Sequence, residues 1–416
     1  MSPERIFQSL SAAGLIAGAW LYGDYWKKIG ASQSSDESIT ALRARNSELT
    51  LENDELKGEL AQVRSMLAQG PFPVPEDLIA YVEKDLGMVF LKAPNVKRDS
   101  PATLRNIAEK NLKFTRGENG LMLENIAWEL LGFIPSDQNL LGQWIAIETE
   151  DTRGIFDLTS GKILLSESFD PQSIPDSAIL VRLLAMQLAY QNHPQKEWPT
   201  RDSWQAWQAT FLGAAEATRQ RYQRSRSVTE GGVTWKDPEQ ARDDLLNQLP
   251  AALQGFANFP FLDGQDHASY HYIDSREAYR KMFREPAETT AEIIHPERPQ
   301  LEYAKISFKE KSGLVLGEDS IGELGLRIWL EAFLGTQPAS DLAKSWRGDR
   351  YQLIEENEKP ILIWHLEMAT AKSAETLVAE VRRLIFPSIK ETQPKRKIEI
   401  TSQGSRVTFA NSPLNE

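Results

Sequence analysis

An α+β domain carried behind an N-terminal transmembrane helix and a coiled coil is the fold class this chain predicts. Three observations lead there. Residues 6–23 contain no charge, a heptad pattern runs through residues 36–69, and beyond residue 75 helical runs mix with one hairpin and two closing strands. With 416 residues, 41% of them hydrophobic, the chain can fill one large domain or two ordinary ones plus extensions.

The uncharged stretch lies between Arg5 and Asp24. As a helix it just covers a membrane core of about 30 Å, although Gln8, Ser9, Ser11 and three glycines make it weakly apolar. Gly14 and Gly18 form a G-x-x-x-G step that lets two helix backbones approach closely. Trp20, Tyr22, Tyr25 and Trp26 resemble an interfacial aromatic belt. The expectation is a single-pass anchor at residues 1–30, with the globular domain outside the cytoplasm. Two rivals stay open. One is a cleaved signal peptide, because Ala17-Gly18-Ala19 has the A-x-A form; the other is a buried helix. Lys27 and Lys28 oppose Arg5 and the N-terminus, so charge does not orient the segment.

After a short polar linker, Ile39, Asn46, Asn53, Leu60 and Leu67 fall at one seam position, and Leu42, Leu49, Leu56 and Val63 at the other. This period of 3.5 reads as a coiled coil over residues 36–69. Asparagine at two seam positions fixes register and favours two strands, so a parallel homodimer is expected. The rival is one amphipathic helix lying on the domain. The proline-rich stretch 70–75 then breaks the helix as a stiff hinge.

The body spans residues 76–390, with 391–416 closing the same domain. Residues 76–132 read as helices with short connections. Leu141–Glu148 has strand character. Gly154–Leu165 reads as a hairpin turning at Ser160-Gly161. Ser177–His193 is an apolar helix that, taken alone, belongs in a core. Ser203–Arg221 is a second helix, and Lys397–Ile400 and Arg406–Phe409 are the final strands.

Composition narrows function. A net charge of −12 and a pI near 5.2 argue against a general nucleic-acid surface. Without cysteine there are no disulfides, thiolate-bound metals or thiol catalysis. A histidine metal site must draw on His193, His267, His271, His295 and His365. His267 and His271 have the i, i+4 spacing of a zinc pair, which with Asp263, Asp266 or His295 would make a relocated site, but two surface or hydrogen-bonding histidines are the favoured reading. Eleven tryptophans belong in cores or interfaces.

Several segments together resemble one family. Leu188-Ala189-Tyr190-Gln191-Asn192 resembles the H-A-L-Q-D tail of a zinc-peptidase His-Glu-x-x-His helix. Leu212–Thr218 resembles A-L-V-E-G-D-A-T, whose Glu is a third ligand. Residues 284–298, ending in His295-Pro296-Glu297-Arg298, resemble "rPPaSTeqilHPekY". Asp319–Arg327 resembles "dtlGEfqlr", and Ser345–Tyr351 resembles "GWGGDRy". The family is the bacterial gluzincin-type HExxH zinc metallopeptidases, mostly of unknown substrate, and the likeness spans residues 120–410. It implies a zincin-like α+β domain in which Leu184 and Leu188 stand at the two histidine positions, Ala185 at the catalytic Glu and Ala214 at the third ligand. Glu216 lies about 200° around the helix from the ligand position and does not replace it. The resemblance makes Phe156, Asp157, Glu216, His295, Glu323, Asp349 and Arg350 cleft or structural residues: Glu323 is a buried carboxylate near the old cleft or, equally, a helix-surface charge, and His295 belongs to a structural turn. The hairpin's second strand would be the edge where a peptide adds. His295 would hydrogen-bond backbone, and Asp349 and Arg350 would pair to order a loop.

The reading that follows is a pseudopeptidase of the bacterial envelope with no catalytic residues, no metal and no cofactor, acting as a peptide- or protein-binding or scaffolding module. Two alternatives stand beside it: an active hydrolase with metal at His267 and His271, and a structural coiled-coil protein.

Overall fold

The computed structural model describes residues 45–53, 71–136, 138–194, 197–229, 235, 239–298, 302–308 and 313–414. The chain divides into two compact units, Met1–Met66 and Leu67–Glu416. In the first, residues 45–53 are helical and exposed throughout. The transmembrane segment, the polar linker and most of the heptad stretch lie outside the described residues. No helix among the described residues is long and apolar enough to cross a membrane. The transmembrane helix and the single-pass localisation are therefore corrected. The polar residues and glycines of 6–23 are the weakness on which that expectation rested.

The second unit is α+β. Helices α1 (Glu76–Leu86), α2 (Pro101–Arg116), α3 (Gly120–Leu131) and α4 (Leu140–Thr149) precede the hairpin of β2 (Gly154–Asp157) and β3 (Lys162–Ser166), and a short strand β1 (Val96–Asp99) lies between α1 and α2. The long pair α5 (Ile174–Asn192) and α6 (Arg201–Thr229) follows, then α7 (Gln240–Leu246), α8 (Ala251–Asn258), α9 (Asp263–Asp274), α10 (Arg276–Arg284) and α11 (Thr290–Ile294). The C-terminal part holds β4 (Leu314–Asp319), α12 (Gly322–Leu334), α13 (Thr336–Ala343), β5 (Trp346–Glu356), β6 (Lys359–Met368), α14 (Ala371–Glu380), a π-helical turn at Val381–Ile385, α15 (Phe386–Thr392), β7 (Arg396–Gln403) and β8 (Arg406–Pro413).

Leu141–Glu148, expected as a strand, is helix α4. The Asn139 side chain caps it by accepting from Gly142 N, and Trp144, Ile145 and Ile147 pack inward. The hairpin forms at the expected place, with Gly161 at φ 68° in its turn. Its second strand is not an edge. The three-stranded sheet runs β1-β3-β2, and β1 pairs with β3 in parallel. The hinge segment docks on β1 in turn: Phe72 N donates to Val96 O at 2.7 Å, and the Phe72 ring meets Phe169 edge-on at 5.6 Å. A peptide therefore has no free β3 to join.

Helices α5 and α6 anchor the first hydrophobic core, together with the hairpin, α1 and α10. A second core fills one face of the five-stranded sheet, ordered β4-β5-β6-β8-β7, against α12 to α15 and the end of α3. Buried polar ties join the two regions. Asp319 accepts from Arg201 N at 2.6 Å, and Asp202 Oδ1 accepts from both Thr290 N and Thr290 Oγ1. Gly322 packs against this knot at φ 71°, where an added Cβ would stand 1.6 Å from Asp202 Oδ1.

Candidate functional site

A cavity of about 150 Å³ opens between α2, α4, the hairpin, α5, α6 and α7. This is room for a small organic group. Aromatic walls come from Trp144 of α4, Phe156 of β2, Trp204 and Trp207 of α6, and Phe261 after α8. Charge comes from Arg116 at the end of α2, Glu148 of α4, Arg182 of α5, Arg201 at the start of α6, Glu239, and Arg242 of α7.

The arginines are held before any ligand arrives. Arg182 reaches Glu239 through two guanidinium nitrogens, at 2.7 and 2.5 Å, and Glu216 at 3.4 Å. Burial would raise the Glu239 carboxyl, but the Arg182 charge and hydrogen bonds win and draw it down to about 2. Arg182 and Arg242 both lie over the Phe261 ring, at 5.6 and 4.6 Å. Arg116 and Arg201 lie over Trp144, at 4.9 and 5.5 Å. These last two share a single carboxylate, Glu124, at 2.5 and 3.1 Å. Burial, and then the neighbouring Arg116 charge, press Arg201 down to about 9. Arg201 Nε is the nitrogen that meets Glu124, and Nη1 forms no hydrogen bond to protein.

Glu148 is exposed and lines the cavity, with Arg116, Arg182 and Arg242 near it. Burial raises its pKa, against the opposing charges of Arg242, Arg116 and Arg182.

The positions drawn from the resemblance sit beside this cavity, in the core. Leu184, Ala185, Leu188 and Ala214 are each at most 1% exposed and belong to one apolar cluster. None of these side chains has a lone pair for a metal. The positions that the resemblance equates with a zinc site are therefore filled, and open space lies along the 182–183–186 face of α5. Phe156 lines that space. Asp157 does not: Thr159 and Ser160 donate to it in the hairpin turn, which overrides burial and holds its carboxyl near 2. Glu216 is bound by Arg219 at 2.6 Å and by Arg182; burial would raise its pKa, but these partners lower it.

His295 hydrogen-bonds a side chain rather than backbone: its Nε2 lies 2.7 Å from Oε1 of buried Glu323. Asp349 and Arg350 do not pair, because neighbours on β5 point to opposite faces. Asp349 instead accepts from Ser320 Oγ, Ile321 N, Gly322 N and the Trp346 and Trp364 indoles, closing the start of α12, while Arg350 bonds Glu318 at 3.1 Å. His267 and His271 share one face of α9, with ring centroids 4.6 Å apart. Burial, then the His271 charge, drives His267 to about 3. No group of three metal-ligating side chains exists among the described residues, so the pair gathers no carboxylate and the relocated site is not assembled there.

Sequence reasoning missed Arg116, Glu148, Arg182, Arg201 and Arg242. One signal was available: Arg182 is the sole charge between Asp176 and His193 in an otherwise apolar helix, and a buried arginine needs partners from elsewhere.

Comparison with known proteins adds a single finding. A family described as a domain of unknown function, DUF8575, matches residues 313–415, the stretch from β4 through β8. No curated protein and no solved structure matches the chain. Nothing in these comparisons points to a gluzincin family.

Proposed function

We propose that the domain is a binding module without metal chemistry, and that it takes its ligand in the arginine- and tryptophan-lined cavity. The observation that carries this is a contrast within one pair of helices. The positions of α5 and α6 equated with zinc ligands and base are dry aliphatic core, while the adjoining faces present Arg182, Arg201, Trp204 and Trp207 to open space. Arginines fixed on aromatic faces and ion-paired in advance lose little freedom when a ligand binds. That arrangement suits recognition. The cavity's size favours a small molecule or a single chain end over an extended peptide.

Native mass spectrometry of the purified full-length chain, with elemental analysis after dialysis, tests the reading. The expected result is no stoichiometric zinc, together with a small molecule that leaves on denaturation. About one zinc per chain would overturn it.

Dimerisation through residues 36–69 belongs to the same proposal. It is supported by the helical state of residues 45–53 and by the exposure of Leu49, a seam residue. Light scattering on the chain with and without residues 1–70 reads it: a dimer that becomes a monomer is expected, and an unchanged mass removes the coiled coil as the cause.

A further inference from the structure

We propose that the cavity is a receptor for a small, flat organic acid carrying one carboxylate, seated on the Arg116–Arg201 pair with its body against the other aromatic walls. This rests on the binding-module reading and names the ligand's chemistry.

Geometry carries it first. Two arginines from different helices, both lining the cavity, close on one carboxylate, Glu124. Both guanidiniums lie over the same indole, that of Trp144. Arg201 is 5% exposed; its Nε meets Glu124, but its Nη1 makes no hydrogen bond to protein, and Arg116 Nε and Trp144 Nε1 are likewise unbonded. Buried guanidiniums are ordinarily satisfied in full. The unbonded guanidinium nitrogens are left for a ligand, and a planar fork matches a carboxylate bidentately.

Carboxylates already lie close to the pair: Glu124 and Asp319 act on both arginines, and Glu148 acts on Arg116 as well. Little further negative charge can be held there, which favours a monoanion over a phosphate dianion. Glu148 projects into the same space and would repel the ligand's carboxylate when ionised. The indole and phenyl walls favour an unsaturated body.

Benzoate is the probe, titrated calorimetrically into the full-length chain at pH 7 in the presence of a chelator. Saturable binding that quenches tryptophan fluorescence is expected. Neutral benzamide and inorganic phosphate should each bind at least about tenfold more weakly. Arg201→Met should weaken benzoate about tenfold or more. Glu148→Gln should tighten it severalfold, a gain that damage to the fold cannot imitate. A tripeptide ending in phenylalanine separates a free acid from a peptide end. If benzoate fails to bind, if benzamide binds equally, if only the tripeptide binds, or if Glu148→Gln leaves the affinity unchanged, the proposal is overturned. Zinc in the same sample would instead overturn the binding-module reading, and chelator-resistant benzoate binding would survive that.

Discussion

At Asp202 burial outweighs hydrogen bonding. Its carboxyl accepts from Thr290 N and Oγ1, yet loss of water, reinforced by the Asp349 and Glu292 charges, raises its pKa to about 8. Asp319 is pushed to about 7 for the same first reason, despite donation from the backbone of Arg201 and Ser320. The sign follows from proton counts. Between the ordinary carboxylate value near 4 and these raised values, the folded chain holds protons that the unfolded chain has lost. Stability therefore falls as pH rises from about 4 to 8. Asn at position 202 imitates the protonated carboxyl and keeps its acceptor. We expect Asp202→Asn to leave urea stability at pH 5 nearly unchanged and to recover roughly 1–3 kcal/mol at pH 8. Urea midpoints at the two pH values measure it, and a variant whose loss from pH 5 to 8 equals that of the parent would show Asp202 ionised in the fold.

Among the elements, α5 is where the sequence and the structure can be set against each other most sharply. Leu188 is fully buried, so Leu188→His places a polar ring in a packed apolar cluster and should cost about 2–4 kcal/mol. Adding Leu184→His and Ala214→Glu completes a ligand set if α5 and α6 keep zinc-helix geometry. The triple variant should then gain several degrees in melting temperature on adding zinc, as ligation offsets the buried polar groups. A melting curve indifferent to zinc would remove the register on which the resemblance depends. These helices and the hairpin were legible because long apolar runs and a Ser-Gly turn are local signals. Helix α4 was not, since Trp144, Ile145 and Ile147 read equally as a short strand until Asn139 is seen to cap it. Strand β1 was hidden because its sequence, VKRD, has one apolar residue and takes its identity from pairing with β3. The cavity was illegible for a stronger reason. Its charges lie on α2, α4, α5, α6 and α7, and no spacing rule connects Arg116, Glu148, Arg182, Arg201 and Arg242 before the chain folds.

For the whole molecule, the question is whether residues 313–415, matched by the family of unknown function, fold by themselves. Helix α3 argues that they do not. Three consecutive carbonyls at its C-terminus are taken by C-terminal side chains: Glu129 O by Gln393 Nε2 at 2.6 Å, Leu130 O by Asn411 Nδ2 at 2.7 Å and Leu131 O by Trp329 Nε1 at 2.8 Å. Helix ends need such partners, and here they are supplied across some 200 to 280 residues of chain. Ala127, Leu130 and Leu131 also complete the core beneath the five-stranded sheet. Removing α3 strips apolar cover and strands Asn411 and Trp329 donors in a buried site, at a cost of roughly 4–8 kcal/mol. That approaches the whole stability of an ordinary domain, about 5–15 kcal/mol. A fragment of residues 313–415 should accordingly melt broadly or far below the full chain, and a peptide of residues 120–135 added in trans should sharpen and raise its transition. A fragment that unfolds cooperatively at the full chain's midpoint, indifferent to the peptide, would show instead that the sheet and its helices are an autonomous module and that α3 merely rests upon it.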